Sequence, residues 1–410
     1  MTTPSSETRA IGAVQVTLPD GRHIHGHVEP AFEGVLDVFI ENFVLRHDVG
    51  AACAAFLDGR PIVDLWGGIA DARTARPWEQ DTTAVIFSCS KGVVAICAYL
   101  LAQQGRLDFD APISAYWPAF AAHGKAAITV RQAMSHRAGL AALDTDLDLE
   151  QVVAWDPVIR AIEAQSPRHR PSDGHLYHTM TYGWLVGEVI RRITGSTPGR
   201  FLRQELGDPL GLRTWIGLPE EERASVAWME PPLPDEDSEA AREGARIARE
   251  DPDVGRSATM GGAFAFPAED GFVTFNAPEI QAGEIPGANG ISTAESLARL
   301  YAACVSDVNG SPLLSDASMD DVLRVRSSGP MLSGAPDDGA RWGTGFQLSS
   351  PPSQPMLGPG SFGHAGAGGQ LAFGDRDHRA GFAFVANQMG GYGDARAREL
   401  TLALRDALGV

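Results

Sequence analysis

The run Gly92-Val93-Val94-Ala95-Ile96-Cys97-Ala98-Tyr99-Leu100-Leu101 constrains the fold more than any other stretch of the chain. It is apolar all round, and a helix without a polar face must be covered by other elements on every side. The pattern therefore predicts a buried helix at the centre of the molecule. With 410 residues, 44% of them hydrophobic and 21% charged, the chain can supply that cover and has the composition of an ordinary globular protein with two structural regions.

Immediately before this run stands Ser88-Cys89-Ser90-Lys91. Residues three apart share one face of a helix, so Ser88 and Lys91 meet at its N-terminal end, where free amides and the helix dipole favour negative charge. A serine hydroxyl beside a desolvated lysine is a nucleophile with its own proton acceptor, as acyl transfer requires. Taken alone, the same four residues also fit a helix cap followed by a solvated lysine.

Sheet signals lie at the two ends of the chain. Ala51–Leu57 and Pro61–Trp66 flank Asp58-Gly59-Arg60, a hairpin pattern, and Gln370–Phe373 and Gly381–Asn387 flank the polar turn 375–379. Helix signals fill the middle: Thr129 as cap of Val130–Ser135, closed by Gly139; Thr181–Thr194, ending at Gly195; and a last helix over about 395–408. The segment 231–253 is rich in acidic residues, arginine and alanine, and reads as a solvated loop with a short surface helix over 238–249. The expected architecture is α/β (α+β), one antiparallel sheet assembled from both chain ends and flanked by helices, with a mostly helical insertion. Residues 1–85 and 200–410 form the discontinuous α/β domain and 86–199 the helical one. The cleft between them is the expected ligand site.

The net charge of -19 argues against a nucleic-acid partner, which would need clustered lysine and arginine, and disfavours an anionic membrane surface or a strongly anionic substrate. No run is long enough for a membrane span, and the start Met1–Glu7 lacks the pattern of a secretory signal, so a cytoplasmic location is expected. Cys53, Cys89, Cys97 and Cys304 form no ligand or bridge pattern and read as reduced, buried thiols. His23, His25 and His27 alternate on a strand and could converge on a metal, but no carboxylate-rich partner motif accompanies them. No metal or cofactor is expected. A G-x-S-x-G elbow is missing, which counts against an α/β-hydrolase.

Four further stretches accompany the serine and lysine: Leu65-Trp66-Gly67-Gly68 with Trp78 and Asp81-Thr82; Ser135-His136-Arg137-Ala138-Gly139-Leu140; Leu176-Tyr177-His178-Thr179; and Gly363-His364-Ala365-Gly366-Ala367-Gly368-Gly369-Gln370. With them the chain resembles the serine β-lactamase and penicillin-binding-protein superfamily, and within it the family VIII carboxylesterases, esterases on a class C β-lactamase-like fold. The likeness runs from about residue 30 to residue 395 and implies the β-lactamase/transpeptidase-like fold. It also implies residue roles. Ser88 matches the acylated nucleophile, Lys91 the lysine that eases its deprotonation, and Tyr177 the tyrosine that relays the proton. His364-Ala365-Gly366 matches the strand lining the cleft, and the amides of Ser88 and Ala367 match the oxyanion hole.

The departures from that pattern bear on substrate. Tyr177-His178-Thr179 stands where class C β-lactamases have Y-x-N, and His364-Ala365-Gly366 where they have K-T-G, so a permanent cation is replaced by a mostly neutral imidazole. Both changes imply a substrate without a carboxylate beside the scissile bond. Pro171-Ser172-Asp173-Gly174 and Gln370 also depart from the relatives. His364, Gly366 and His178 are the expected substrate contacts, while Trp66, Gly67, Gly68, His136 and Arg137 are expected to be structural. The resemblance implies hydrolysis of short-chain carboxylic esters, small molecules, through an acyl-Ser88 intermediate. Acting on β-lactams, D-amino-acid peptides or amides, acyl transfer to another acceptor, and binding without catalysis are the alternatives. Whether Lys91 or Tyr177 takes the serine proton stays open at this level.

Overall fold

The structure is a computed structural model that describes residues 12–410 apart from 234–241, 243–245, 248–249, 265–272, 308–310, 335–336 and 392. The strands of its main sheet are β1 (Ala13–Thr17), β2 (His23–Val28), β3 (Gly50–Leu57), β4 (Arg60–Asp71), β5 (Ser327–Ser328), β6 (Arg341–Trp342), β7 (Gln347–Leu348), β8 (Ser361–Gly366), β9 (Gln370–Asp375) and β10 (Ala380–Ala386). They pair antiparallel in the order β1-β2-β4-β3-β10-β9-β8-β7-β6-β5, with the short strand Arg76–Pro77 on β4. The two ends of the chain meet at β3 and β10, where Ala51 pairs with Ala386 and Leu57 with Ala380. The sheet is thus assembled from both ends, as expected. Among the described residues it does not resume between Pro77 and Ser327.

Both faces of the central strands are buried, and the strand alternation splits them between two cores. Ala51, Cys53 and Ala55 of β3, with Phe382 and Phe384 of β10, face one core. There they meet Val35, Phe39 and Phe43 of helix α1 (Glu33–Leu45) and Leu400 and Leu404 of the C-terminal helix, Arg396–Leu408. Ala52, Ala54 and Phe56, with Ala383 and Val385, face the other core. That core holds helix α2 (Cys89–Gln103) and the helix Ala294–Val305. The latter lies so close to the sheet that a Cβ at Gly381 would sit 2.3 Å from the Ala298 carbonyl oxygen.

Helix α2 is buried around almost its whole circumference, with Leu100, Ala102 and Gln103 less so. It begins one turn before the apolar run, and its last turn carries Gln103 beyond it. Helix α3 (Val130–Met134) starts on the expected cap, and the Thr129 and Gln132 side chains form a reciprocal capping box. Helix α4 (Thr181–Thr194) ends on Gly195 at φ +74°, the left-handed cap its sequence predicts. The β3–β4 hairpin turns on Asp58 and Gly59, both at positive φ, so Arg60 belongs to the strand and not to the turn. The surface helix expected over 238–249 falls largely outside the described residues.

Among the described residues no helix is long and apolar enough to cross a membrane. All four cysteines are buried and unpaired. His23, His25 and His27 do lie on β2, but no three His, Cys, Asp or Glu side chains among the described residues converge on a point that could hold a metal. His25 instead lies against Trp66, ring centroids 6.4 Å apart.

Candidate active site

Ser88 precedes α2 at the end of an unusual turn. Phe87 takes φ +43°, a left-handed conformation that costs a bulky residue energy and persists only when its surroundings hold it. Ser90 supplies part of that hold: its Oγ donates to the Phe87 carbonyl at 2.5 Å and accepts the Gly290 amide at 2.8 Å. The second serine of the motif therefore braces the turn that presents the first.

Lys91 is fully buried, with Nζ 2.9 Å from Ser88 Oγ and donating to the Gly287 carbonyl at 2.7 Å. Burial without a carboxylate partner pushes its pKa down to about 7. At neutral pH much of it is therefore the free amine, which can accept a proton from Ser88.

Tyr177 is clamped among rings. It stacks on Trp342 with centroids 5.2 Å apart and meets His136 at 4.7 Å. Burial raises its phenol above the ordinary value, and a hydrogen bond to Ser88 offsets this only in part. Lys91 Nζ lies 5.1 Å from the ring centroid, and burial outweighs any help from that cation. Tyr177 therefore stands as a phenol beside Ser88.

Strand β8 closes the site from the other side. A Cβ on Gly366 would sit 2.6 Å from the Ile86 carbonyl oxygen and 3.2 Å from Cys89 Sγ, so only glycine lets the strand reach the turn that carries Ser88. Cys89 donates its S–H to the His364 carbonyl at 3.1 Å, and Gln370 donates Nε2 to the Val85 carbonyl at 2.7 Å. Both bonds tie β8 and β9 to the segment that carries Ser88. Ala367 follows in an exposed turn. Among the described residues no acceptor takes the amide of Ser88 or of Ala367, so both remain free to donate.

His364 is 3% exposed and burial pushes its pKa down to about 3, so the imidazole is neutral. Its Nδ1 lies 2.6 Å from the Ala365 carbonyl, which can only accept, so Nδ1 carries the hydrogen and Nε2 is a bare acceptor. No partner among the described residues meets that Nε2. The site thus presents an acceptor where a K-T-G strand presents a cation.

His178 differs from its expected role as a substrate contact. It is fully buried, its Nδ1 engages the Leu176 carbonyl at 2.7 Å, and its Nε2 accepts the Leu140 amide at 3.2 Å. No polar atom of the ring remains for a ligand. His136 plays a structural part. It is buried at φ +63°, its pKa is driven well below the ordinary value by burial, and Nδ1 accepts the His178 amide.

Trp342, Gly287 and Ser257 belong to the site without any signal in the sequence. Ser257 accepts the Thr179 amide and donates to the Tyr177 carbonyl at 3.3 Å, which ties the helix Pro252–Thr259 to the tyrosine segment. Beside Tyr177 and Trp342 opens a cavity of about 170 Å³, lined also by His175, Met331, Asp337 and Gln347.

Comparison with known proteins gives the chain its family. The family described as Beta-lactamase matches residues 39–407. Esterase/beta-lactamase LipL of Mycobacterium tuberculosis (strain ATCC 25618 / H37Rv) is 34% identical over 386 residues, covering 90% of this chain and 85% of that protein. The crystal structure of a family VIII carboxylesterase superposes with a TM-score of 0.83 at 31% identity, over 94% of this chain and 99% of that one. EstA from Arthrobacter nitroguajacolicus Rue61a does so with a TM-score of 0.81 at 30% identity, over 94% and 99%. With a match over most of its length and a buried lysine on the serine three residues before it, this chain belongs to the beta-lactamase family.

Proposed function

We propose that this protein is a serine hydrolase that cleaves short-chain carboxylic esters through an acyl-Ser88 intermediate. The observation that carries the reading is the buried Lys91 amine, 2.9 Å from Ser88 Oγ and half-deprotonated near neutral pH. The site would lie between the α/β part, residues 1–85 and 200–410, and the helical part, 86–199. The esterases similar to the chain support an ester as substrate.

The residues divide the chemistry as follows. Lys91 Nζ takes the Ser88 hydroxyl proton as Oγ bonds to the ester carbonyl carbon, and the Ser88 and Ala367 amides receive the oxyanion. When the carbon–oxygen bond to the alcohol breaks, the Tyr177 phenol protonates the departing alkoxide and is reprotonated from the Lys91 ammonium. Water then attacks the acyl carbon, again losing its proton to Lys91, and as the acyl bond to Ser88 Oγ breaks that proton passes back from the Lys91 ammonium to Oγ, releasing the acid. Gly366 and the His364 strand line the acyl group, and His178 holds the Tyr177 segment in place.

His364 as a neutral acceptor, and Thr179 bonded to Ser257, support a substrate without a carboxylate beside the scissile bond. Four unpaired, buried thiols support a reducing compartment such as the cytoplasm. The test is a paired assay on p-nitrophenyl butyrate and nitrocefin with Ser88→Ala as control, joined to mass spectrometry for the acyl-enzyme. Ester turnover that vanishes in the variant, with little nitrocefin cleavage, is expected. Fast nitrocefin cleavage would make the enzyme a β-lactamase, and silence on both would move the reading to amides or acyl transfer.

A further inference from the structure

The turn 367–369 that carries the Ala367 amide is built from glycine where it needs to be fixed. Gly368 and Gly369 take φ +81° and +90°. Two such residues lose more conformational freedom on ordering than any others, so the turn needs an outside anchor to hold one geometry. The sequence supplies none in the turn itself.

The anchor comes from the first residue of the C-terminal helix. Arg396 is 3% exposed at its side chain, and its guanidinium forks between the turn and two carboxylates. Nη2 donates to the Gly368 carbonyl at 2.6 Å and the Gln388 carbonyl at 3.0 Å. Nε donates to Asp394 at 2.9 Å, and Nη1 to Asp48, whose side chain is fully buried. The surrounding glycines are fitted to this fork. A Cβ at Gly369 would meet Asp394 Oδ2 at 2.1 Å and Arg396 Nη2 at 2.9 Å, and one at Gly390 would meet the same atoms at 1.7 and 2.7 Å. The Gly390 amide also donates to the Gly368 carbonyl, at 3.3 Å.

A buried ion pair is a poor way to gain stability, because desolvation cancels much of the attraction. Here the arrangement even leaves Asp48 Oδ2 without a partner among the described residues. What the planar fork provides is direction: several hydrogen bonds in one fixed plane, which a lysine cannot reproduce. We propose that Arg396 is a positioning residue for the oxyanion hole, gripping the Gly368 carbonyl so that the Ala367 amide keeps its place relative to Ser88. The inference rests on the acyl-Ser88 reading and adds to it a residue 308 positions away in the chain that touches neither substrate nor nucleophile.

The test compares wild type with Arg396→Lys, which keeps the charge and loses the fork, and with Asp394→Asn, a milder change should the first not fold. Active sites are titrated by the extent of fluorophosphonate labelling, and kcat on p-nitrophenyl butyrate is expressed per titrated site. A trifluoromethyl ketone of similar chain length, whose adduct with Ser88 places an oxyanion in the hole, reports on the hole directly. Loss of one oxyanion donor costs about 10²–10³ in kcat, so misplacement of Ala367 should lower kcat per site by about 10- to 100-fold. KM should stay within about threefold, and ketone affinity should fall by the same factor as kcat. A lower Tm with unchanged kcat per site, or a fall in kcat without loss of ketone affinity, would overturn the proposal. Wild-type enzyme without ester turnover would count instead against the esterase reading, so the two failures are separable.

Discussion

Lys91 Nζ lies 2.7 Å from the Gly287 carbonyl oxygen, and that bond orients the amine so that Ser88 Oγ is its other neighbour. Only the neutral amine can accept the serine proton, and burial places its pKa at about 7. The expected kcat/KM on p-nitrophenyl butyrate therefore rises with pH and levels off above an apparent pKa of about 7. A profile from pH 5 to 9 checks this, and a flat one would remove Lys91 as the base.

The same lysine should cost stability. Its folded pKa lies below its unfolded value of 10.5, so between about 7 and 10.5 the unfolded chain binds the extra proton and stability rises with pH. At pH 6 both states are protonated and the full cost of burying the charge is present. Lys91→Met removes that cost while abolishing turnover. Its gain in Tm over wild type should be larger at pH 6 than at pH 9, read by thermal unfolding at both values. A pH-independent difference would mean that the buried amine stays protonated up to pH 9, with its pKa not lowered.

Tyr177 remains a phenol because burial opposes the phenolate more than its neighbours favour it. In the proposed reaction it gives a proton to the leaving alkoxide, and that help matters most when the alkoxide is basic. Tyr177→Phe should lower kcat on an ethyl ester by about a hundredfold or more. The loss on a p-nitrophenyl ester, whose leaving group needs no proton, should be several times smaller. Steady-state rates on the two esters decide the matter; equal losses would point to acylation geometry rather than proton donation.

The parts of this fold carried by short-range pattern were legible in the sequence. The run after Lys91, the Thr129 cap, the Gly195 stop and the Asp58-Gly59 turn each follow from residues within a few positions of one another. Ser88 and Lys91 stood out because their spacing has a chemical reason, and Tyr177 and His364 because the stretches around them carry the family resemblance. Trp342, Gly287 and Ser257 did not, since each acts through a contact made by distant chain: a stacked ring, a carbonyl and a hydroxyl with no local pattern. His178 was misjudged for the converse reason. Its place beside Tyr177 in the chain suggested the cleft, but the backbone turns its ring inward onto Leu140 and Leu176.

Gly366 offers a sharper test of how tightly β8 is fitted to the nucleophile. A methyl group there would meet the Ile86 carbonyl oxygen at 2.6 Å, a backbone atom in the turn that leads to Ser88, so either the strand or the turn must retreat. Overpacking of this kind costs about 1–3 kcal/mol. Gly366→Ala should therefore lower Tm by a few degrees. Movement at the turn should also lower kcat by about tenfold or more, since displacements near 1 Å are enough to misalign a nucleophile. Gly358→Ala is the matched control, because a Cβ there meets nothing within 4 Å, and it should leave both quantities unchanged. If the two variants behave alike, β8 can shift away from the Ser88 turn without penalty, and the close approach is not what aligns the site.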